Sequence, residues 1–421
     1  MNDQFTGITT KSWGARIIDS IKGVLFGLLM FVVSFGVLYW NEGRVDMSKI
    51  AKTAIEIESM SKAQTETNNQ LVSTTGILES DENIGDSFLK EGKYISIERN
   101  VEMYSWQEDQ QSSTKNDVGG SETTETTYTY QKVWTSNPDN SSDFAKPEGH
   151  QNPQMSLNRN SIKVKKAKIG IYDIDMDHVV LPESKEIQLD SDMVILENGM
   201  SLADNRYLFK SNGSTMSSPE VGLADNQYIR NNGTTMSSPE VGLADDQYIR
   251  SNVSTMSSPE VGDIRISYSV IYNPLETATI FGKLDVSNQK ISSYYAKQNT
   301  ELYRIFEGTR DTAISTMETE HSTFTWVLRA VGFALMWFGL MALLGPISVF
   351  LDIMPVFGSI SRAGVGLVTF IVSLVLSIIT ILISMIIHNL IALIVVIAGI
   401  IIGIIWFLKN KSKKQSVKAN K

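Results

Sequence analysis

The sequence predicts an α+β membrane protein, with one N-terminal and three C-terminal transmembrane helices flanking a large mainly β extracytoplasmic domain. Three observations predict it. Apolar residues gather near the two ends of the 421-residue chain, and the stretch between them is rich in Ser, Thr, Asn, Asp and Glu. Four apolar segments reach the roughly 20 residues that a helix needs to cross a hydrocarbon core. Charge is also split: residues 41–323 hold 26 Lys and Arg against 43 Asp and Glu, whereas the remainder holds 11 against 3. An acidic region of that size is no nucleic-acid binder.

The first span covers 23–40, GVLFGLLMFVVSFGVLYW, and ends on Tyr39 and Trp40, an aromatic pair suited to the membrane boundary. It is followed by Asn-Glu-Gly-Arg rather than by the small residues of a cleavage site, so it reads as an anchor and not as a signal peptide. The second span covers 324–349, with Arg329 close enough to the outer boundary to snorkel. The third covers 365–387 and the fourth 390–408. Only His388 and Asn389 separate those two, which predicts a tight helical hairpin. Six Lys and no acid in the tail 409–421 predict a cytoplasmic C-terminus. Four crossings then return residues 1–22, with Lys11, Arg16 and Lys22, to the cytoplasm, together with the loop 350–364.

The domain over 41–323 reads mainly as strands. A short helix is expected at the start of Met47–Gly76. Tyr94–Trp106 and Thr123–Trp134 alternate apolar or aromatic with polar residues, as half-buried strands do. The polar segment Gln107–Glu122 between them reads as a long loop. Further strand pattern lies in Ile162–Val180, Ile187–Leu196, Asp263–Ile271 and Thr277–Val286. Glu301–Glu320 reads as a helix leading into the second span. Within 202–262 lie tandem repeats of about twenty residues: Leu223–Gly242 recurs as Leu243–Gly262 with four differences, and a looser copy, Leu202–Gly222, precedes them. A period near twenty suits one coil of a β-solenoid or one hairpin. Near-identity of the copies favours recent duplication within a loop that accepts insertions.

Little of this carries chemistry. The chain has no Cys, which removes disulfides, thiolate nucleophiles and Cys-based metal sites. His150, His178, His321 and His388 are scattered, with no second His at metal spacing. Asp173, Asp175 and Asp177 resemble the start of a calcium loop, but His178 stands where Gly is required and Ser184 where a bidentate Glu is required. Alternation with Ile174 and Met176 makes them the wet face of a strand. Lys163, Lys165, Lys166 and Lys168 likewise read as a solvated strand face before they read as a lipid contact. Asn212, Asn232 and Asn252 begin sequons that recur because the repeat recurs. No Ser/His/Asp set, phosphate loop or carboxylate pair stands out, and no cofactor, metal or catalytic residue is expected.

The spans say more. Gly23 and Gly27 lie four apart, as do Gly399 and Gly403, a spacing that lets helix backbones approach closely. Ser373, Ser377, Thr380 and Ser384 fall on one face of the third span. No Asp, Glu or Lys lies within spans three or four, so helix packing is preferred to a transport path.

Several motifs, in order, resemble the LUMA (transmembrane protein 43) family. They are Asn41-Glu42-Gly43-Arg44 after the first span, the strand with Glu102, Tyr104 and Trp106, Gly149-His150-Gln151-Asn152-Pro153, and Pro259-Glu260-Val261-Gly262-Asp263-Ile264-Arg265. Trp326, Leu328-Arg329-Ala330 and Pro355-Val356-Phe357 extend the likeness. The departure is the repeat, since the family pattern has one Pro-Glu-Val-Gly unit where this chain has three. The resemblance implies a multi-pass membrane organiser. Eukaryotic members are similar in placing the large domain in the lumen of the endoplasmic reticulum and inner nuclear membrane, with lamins and emerin among their partners. The absence of Cys leans towards a bacterial member in the inner membrane.

The expected function is therefore a non-enzymatic, homo-oligomeric scaffold in contact with membrane lipid and with membrane or envelope proteins. A lipid- or solute-handling protein is the alternative, and a membrane-anchored hydrolase the third reading.

Overall fold

The structure is a computed structural model that describes residues 3–117, 119–197, 199–212, 254–296, 299–351 and 355–389, with isolated positions at 228–229, 235–236, 394 and 398. The strands are β1 (Asp3–Lys11), β2 (Ile55–Glu56), β3 (Leu71–Glu79), β4 (Tyr94–Asn116), β5 (Glu122–Thr135), β6 (Asn160–Lys163), β7 (Lys166–Ile169), β8 (Tyr172–Asp175), β9 (Lys185–Glu186), β10 (Met200–Ala203), β11 (Tyr207–Lys210), β12 (Tyr228–Ile229), β13 (Thr235–Met236), β14 (Ile264–Tyr272), β15 (Leu275–Asp285), β16 (Lys290–Ser292), β17 (Tyr294–Tyr295), β18 (Glu301–Leu302) and β19 (Arg304–Glu307). The helices are α1 (Trp13–Glu42), α2 (Met47–Lys52), α3 (Arg310–Leu343), α4 (Gly345–Leu351) and α5 (Pro355–His388). The chain divides into two compact units, one built on Met1–Thr6, Ala54–Gln111 and Thr127–Ala313, the other on Gly7–Thr53, Ser112–Thr126 and Ile314–Lys421.

The first unit holds two sheets. In one, β15, β16, β8, β7 and β3 pair in turn and β3 closes back on β15, so five strands form a ring with no free edge. Its filling includes Val72, Leu78, Ile169, Ile174, Ile280, Leu284 and Ile291. Ala278–Gly282 of β15 is buried without alternation. Ala278 and Ile280 belong to that core, while Phe281 meets Phe306 and Thr279 reaches the Gly308 carbonyl. The second sheet runs β1–β5–β4–β14–β11–β10, with β6 on β4 and β9 on β14. Here β14 alternates, burying Ile264, Ile266, Tyr268 and Val270 against Ile97, Val101 and Met103.

Several segments differ from the sequence reading. The loop expected over Gln107–Glu122 shrinks to five residues, because β4 runs to Asn116 and β5 starts at Glu122. Its arms carry no apolar alternation to betray them. Cross-strand polar pairs hold them: Tyr130 to Glu108 at 2.6 Å, Ser112 with Thr126 at 3.0 Å and Thr114 with Thr124 at 3.2 Å. Ile187–Leu196 forms a turn and an isolated bridge instead of a strand. Glu301–Leu302 and Arg304–Glu307 are strands, and the helix begins only at Arg310. The short helix at Met47 is present, capped by the Asp46 carboxylate accepting from the Ser48 N–H. Residues 3–11 form β1, paired to β5, within the segment 1–22 read as a cytoplasmic terminus.

In the second unit α1, α3 and α5 are three helices long and apolar enough to cross a membrane. Leu25, Phe26, Leu29, Val327, Leu367, Ile371 and Leu382 on them are exposed. That pattern is the inverse of a soluble core and needs an apolar surrounding. The fourth expected span, 390–408, lies outside the described residues apart from Ile394 and Ala398, as does most of the repeat.

Candidate functional site

The bundle is fixed by close crossings. A Cβ placed on Gly27 would come within 2.6 Å of Ala342 Cβ and 2.8 Å of the Gly339 carbonyl, so α1 and α3 touch backbone to backbone there. Gly332 likewise gives room to Leu38, and the sequence of contacts makes α1 and α3 antiparallel. Gly23 has open space where a Cβ would stand. Ser373, Ser377 and Ser384 are buried on α5 and Thr380 is half-buried. Ser377 donates to the Met336 sulfur at 3.4 Å, which turns this face towards α3. Gly399 and Gly403 lie outside the described residues.

At the start of α1, the buried Arg16 donates to the Gly120 carbonyl and pairs with Glu122 at 3.3 Å, while Trp13 donates to the Val349 carbonyl at 3.2 Å. These contacts fasten the tip of the β4–β5 hairpin and α4 to that end of the bundle.

The other end carries the Asn41-Glu42-Gly43-Arg44 motif and an open cleft of about 810 Å³. Glu42 is buried against Arg329, which donates from Nε at 2.8 Å and Nη2 at 2.9 Å. The Asn41 amide donates to the Thr325 carbonyl at 3.1 Å. Gly43 is small for a visible reason: the His388 ring lies where its Cβ would be. His388 also meets Tyr39 at 4.6 Å between ring centroids, and its Nδ1 donates to the Ser384 carbonyl at 2.8 Å. Arg44 lies over the Phe324 ring at 4.3 Å. Four consecutive residues of a motif thus meet α3 and α5 in one place.

A second polar constellation is wholly within the β unit. Glu102 accepts from Arg265 at 2.6 Å across the β4–β14 pair, and the guanidinium is covered by Trp134 and Tyr207 at 4.8 and 4.7 Å. Tyr104 packs on Trp134, and its backbone accepts from Gly262 N–H and donates to the Asp263 carbonyl, both at 2.8 Å. Asp263 is fully buried, accepting from the Glu260 and Asn212 N–H groups. Gly262 sits at φ +100°, where a side chain would be strained and would strike Pro153. The turn Pro259-Glu260-Val261-Gly262 is therefore a shaped closure on β14. Trp106 meets the edge of the buried His150, which stacks on Tyr130 at 3.9 Å and bonds Asp3 at 2.9 Å. Burial, then the Glu108 carboxylate, pushes the Tyr130 hydroxyl up to about 12.

One cluster escaped the sequence. Asp86 accepts from Arg99 at 2.6 Å, Tyr268 at 2.7 Å and Asn160 at 3.0 Å. Burial alone would raise its carboxyl, but the two hydrogen bonds and the Arg99 charge outweigh it and hold it below the usual range. Burial and then Asp86 push the Tyr268 hydroxyl up. Nothing in local pattern links positions 86, 99, 160 and 268. Arg329 did carry a signal, since an ionisable residue in an apolar helix calls for a partner.

Three apolar helices joined to a β domain, with paired charges at their ends, define an α+β membrane protein. The family model for Transmembrane protein 43 matches residues 103–390, more than half of the chain, and the chain belongs to that family. Transmembrane protein 43 of Mus musculus and of Homo sapiens are each 28% identical over 144 residues, 33% of this chain and 36% of theirs. The Transmembrane protein 43 homolog of Drosophila melanogaster is 27% identical over 208 residues, 47% of this chain and 54% of its own. The chain thus matches between about a third and about half of the length of these relatives. No solved structure matches. The matched range includes Arg329 and His388, and the Asn41–Arg44 motif that they meet precedes it.

Proposed function

We propose that this protein is a non-enzymatic integral membrane scaffold, a homo-oligomer that organises membrane or envelope protein complexes. The observation that carries the reading is how its polar clusters are used. Glu42–Arg329, Glu102–Arg265 and Asp86–Arg99–Tyr268 are each closed ion pairs or hydrogen-bonded knots that join separate elements. A carboxylate already held by a guanidinium is a poor general base, whereas a buried pair fixes register and geometry. The basic tail supports a cytoplasmic C-terminus with the acidic β domain on the opposite side. The test is cross-linking in native membranes followed by mass spectrometry. A scaffold yields self-links and a reproducible set of partner proteins. Monomer alone, or solute uptake lost on deletion with no partner set, would overturn it.

A further inference from the structure

The cleft at the end of the bundle that carries the C-terminus of α1 is lined by Glu42, Arg44, Asp46, His321, Arg329 and His388 among others. Its two carboxylates are already engaged. Glu42 is held by two nitrogens of Arg329, and Asp46 accepts from the Ser48 N–H at 3.0 Å and hydroxyl at 2.6 Å and pairs with Lys49 at 3.5 Å. Arg44 differs. Its guanidinium rests on Phe324, its one side-chain hydrogen bond is a long one of 3.5 Å to Asn41 Oδ1, and among the described residues no carboxylate is within ion-pair distance of it. A half-buried guanidinium without a counter-charge is a strong anion site, because its forked donors match carboxylate and phosphate geometry.

His388 faces the same space. A carbonyl can only accept, so Nδ1 donates its proton to Ser384, while Nε2 packs against Gly43. Lys49 is exposed at the rim, giving the lining three fixed cations against two carboxylates. Trp326 and Met385 supply an apolar wall, continuous with the exposed apolar surface of α3 and α5. Donors for an oxyanion beside an apolar wall, at the end of membrane helices, fit a phosphate carried on an apolar tail.

We infer that this cleft binds a phosphoryl anion through Arg44, with Lys49 assisting, and that its source is the headgroup of an anionic phospholipid or free phosphate. The lipid source rests on the reading of the helices as membrane spans, whereas the anion site itself does not.

The test uses the purified full-length chain in a neutral detergent, with native mass spectrometry counting retained phosphatidylglycerol and thermal shift following inorganic phosphate. Wild type retains phosphatidylglycerol over phosphatidylcholine, and Arg44→Gln weakens that retention about tenfold or more, the loss expected for one charge-assisted hydrogen-bond donor. Arg44→Lys keeps part of it, and Lys49→Gln lowers it less than Arg44→Gln. Protection by inorganic phosphate alone, removed by Arg44→Gln, assigns the site to the free anion. Equal retention by wild type and a monodisperse Arg44→Gln, or no response to either probe, overturns the proposal. Carbonate extraction of the same variants reports membrane insertion separately, so loss of the anion site and loss of the membrane reading are told apart.

Discussion

Arg329 on α3 grips the Glu42 carboxylate at the end of α1 with two near-parallel hydrogen bonds of 2.8 and 2.9 Å. The carboxylate side chain is only 5% exposed, so removing one partner leaves a charge without compensation. Glu42→Gln and Arg329→Gln should each destabilise the purified protein by about 3 kcal/mol. The double replacement should cost less than the sum, and a thermal-melt double-mutant cycle measures that coupling. Strict additivity would mean that the pair does not hold α1 to α3.

Gly27 and Gly23 look alike in the sequence but not in the fold. Gly27→Leu would drive a side chain into Ala342 and the Gly339 backbone, whereas Gly23→Leu would enter open space among the described residues. Overpacking of that kind costs about 1–3 kcal/mol. The melting temperature should fall for Gly27→Leu and stay put for Gly23→Leu. Equal behaviour of the two would refute the α1–α3 crossing.

Asp86 predicts a pH dependence. Its carboxyl is held below the usual range in the fold, so it binds a proton more readily when unfolded. Its stabilisation is present above the unfolded value, about 3.9, and is lost as pH falls through the folded value. The β unit should therefore weaken progressively as pH falls below about 5, and tryptophan fluorescence melts can follow it. Asp86→Asn should be less stable at neutral pH, because Arg99 is left buried without its counter-charge, and should lose less on acidification.

How much was legible follows from where the signal lies. Apolar length announces a span, and three of the four expected spans are helices in the described residues. β14 was readable because one face is core and the other is not. The outer arms of β4 and β5 were not, since Gln, Ser and Thr pair across the hairpin without an apolar face. β1 was missed for the same reason, with Thr and Gly in place of buried residues. Glu42, Arg44, Arg329 and His388 could each be singled out, but only the antiparallel crossing of α1 with α3 and the approach of α5 to Gly43 bring them to one cleft.

The β1–β5 pairing bears on the membrane sidedness of the N-terminus. Reading topology from charge puts Thr9 in the cytoplasm and Ser112 outside, while pairing of β1 with β5 and of β5 with β4 requires both on one side. Both positions are exposed, and the chain has no native Cys to interfere. Thr9→Cys and Ser112→Cys should label alike with an impermeant maleimide in intact cells, and Ser412→Cys in the basic tail should stay protected. Different labelling of Thr9→Cys and Ser112→Cys would dissolve the strand pairing. Labelling of Ser412→Cys would reverse the tail.

The tandem repeat yields the last prediction. β11 and β14 are antiparallel neighbours, with Phe209 opposite Arg265 and Lys210 opposite Ile264, so everything from 211 to 263 connects two adjacent strand ends. The closing contacts use the final copy: Asp263 takes the Asn212 and Glu260 N–H groups, and Gly262 turns at φ +100° against Pro153. Excising Leu223–Gly262 joins Gly222 to Asp263, and Pro219-Glu220-Val221-Gly222 then supplies the same four residues ahead of Asp263. The register of β11 on β14 is preserved, and a shorter loop costs less to close, by about 0.6 kcal/mol per halving. The shortened protein should therefore insert in the membrane and melt at or slightly above the full-length temperature. A further replacement, Gly222→Val in the shortened chain, should undo this by placing a β-branched residue at positive φ. Loss of the protease-resistant β unit on excision alone would show that the copies stack into a structure the sheet depends on.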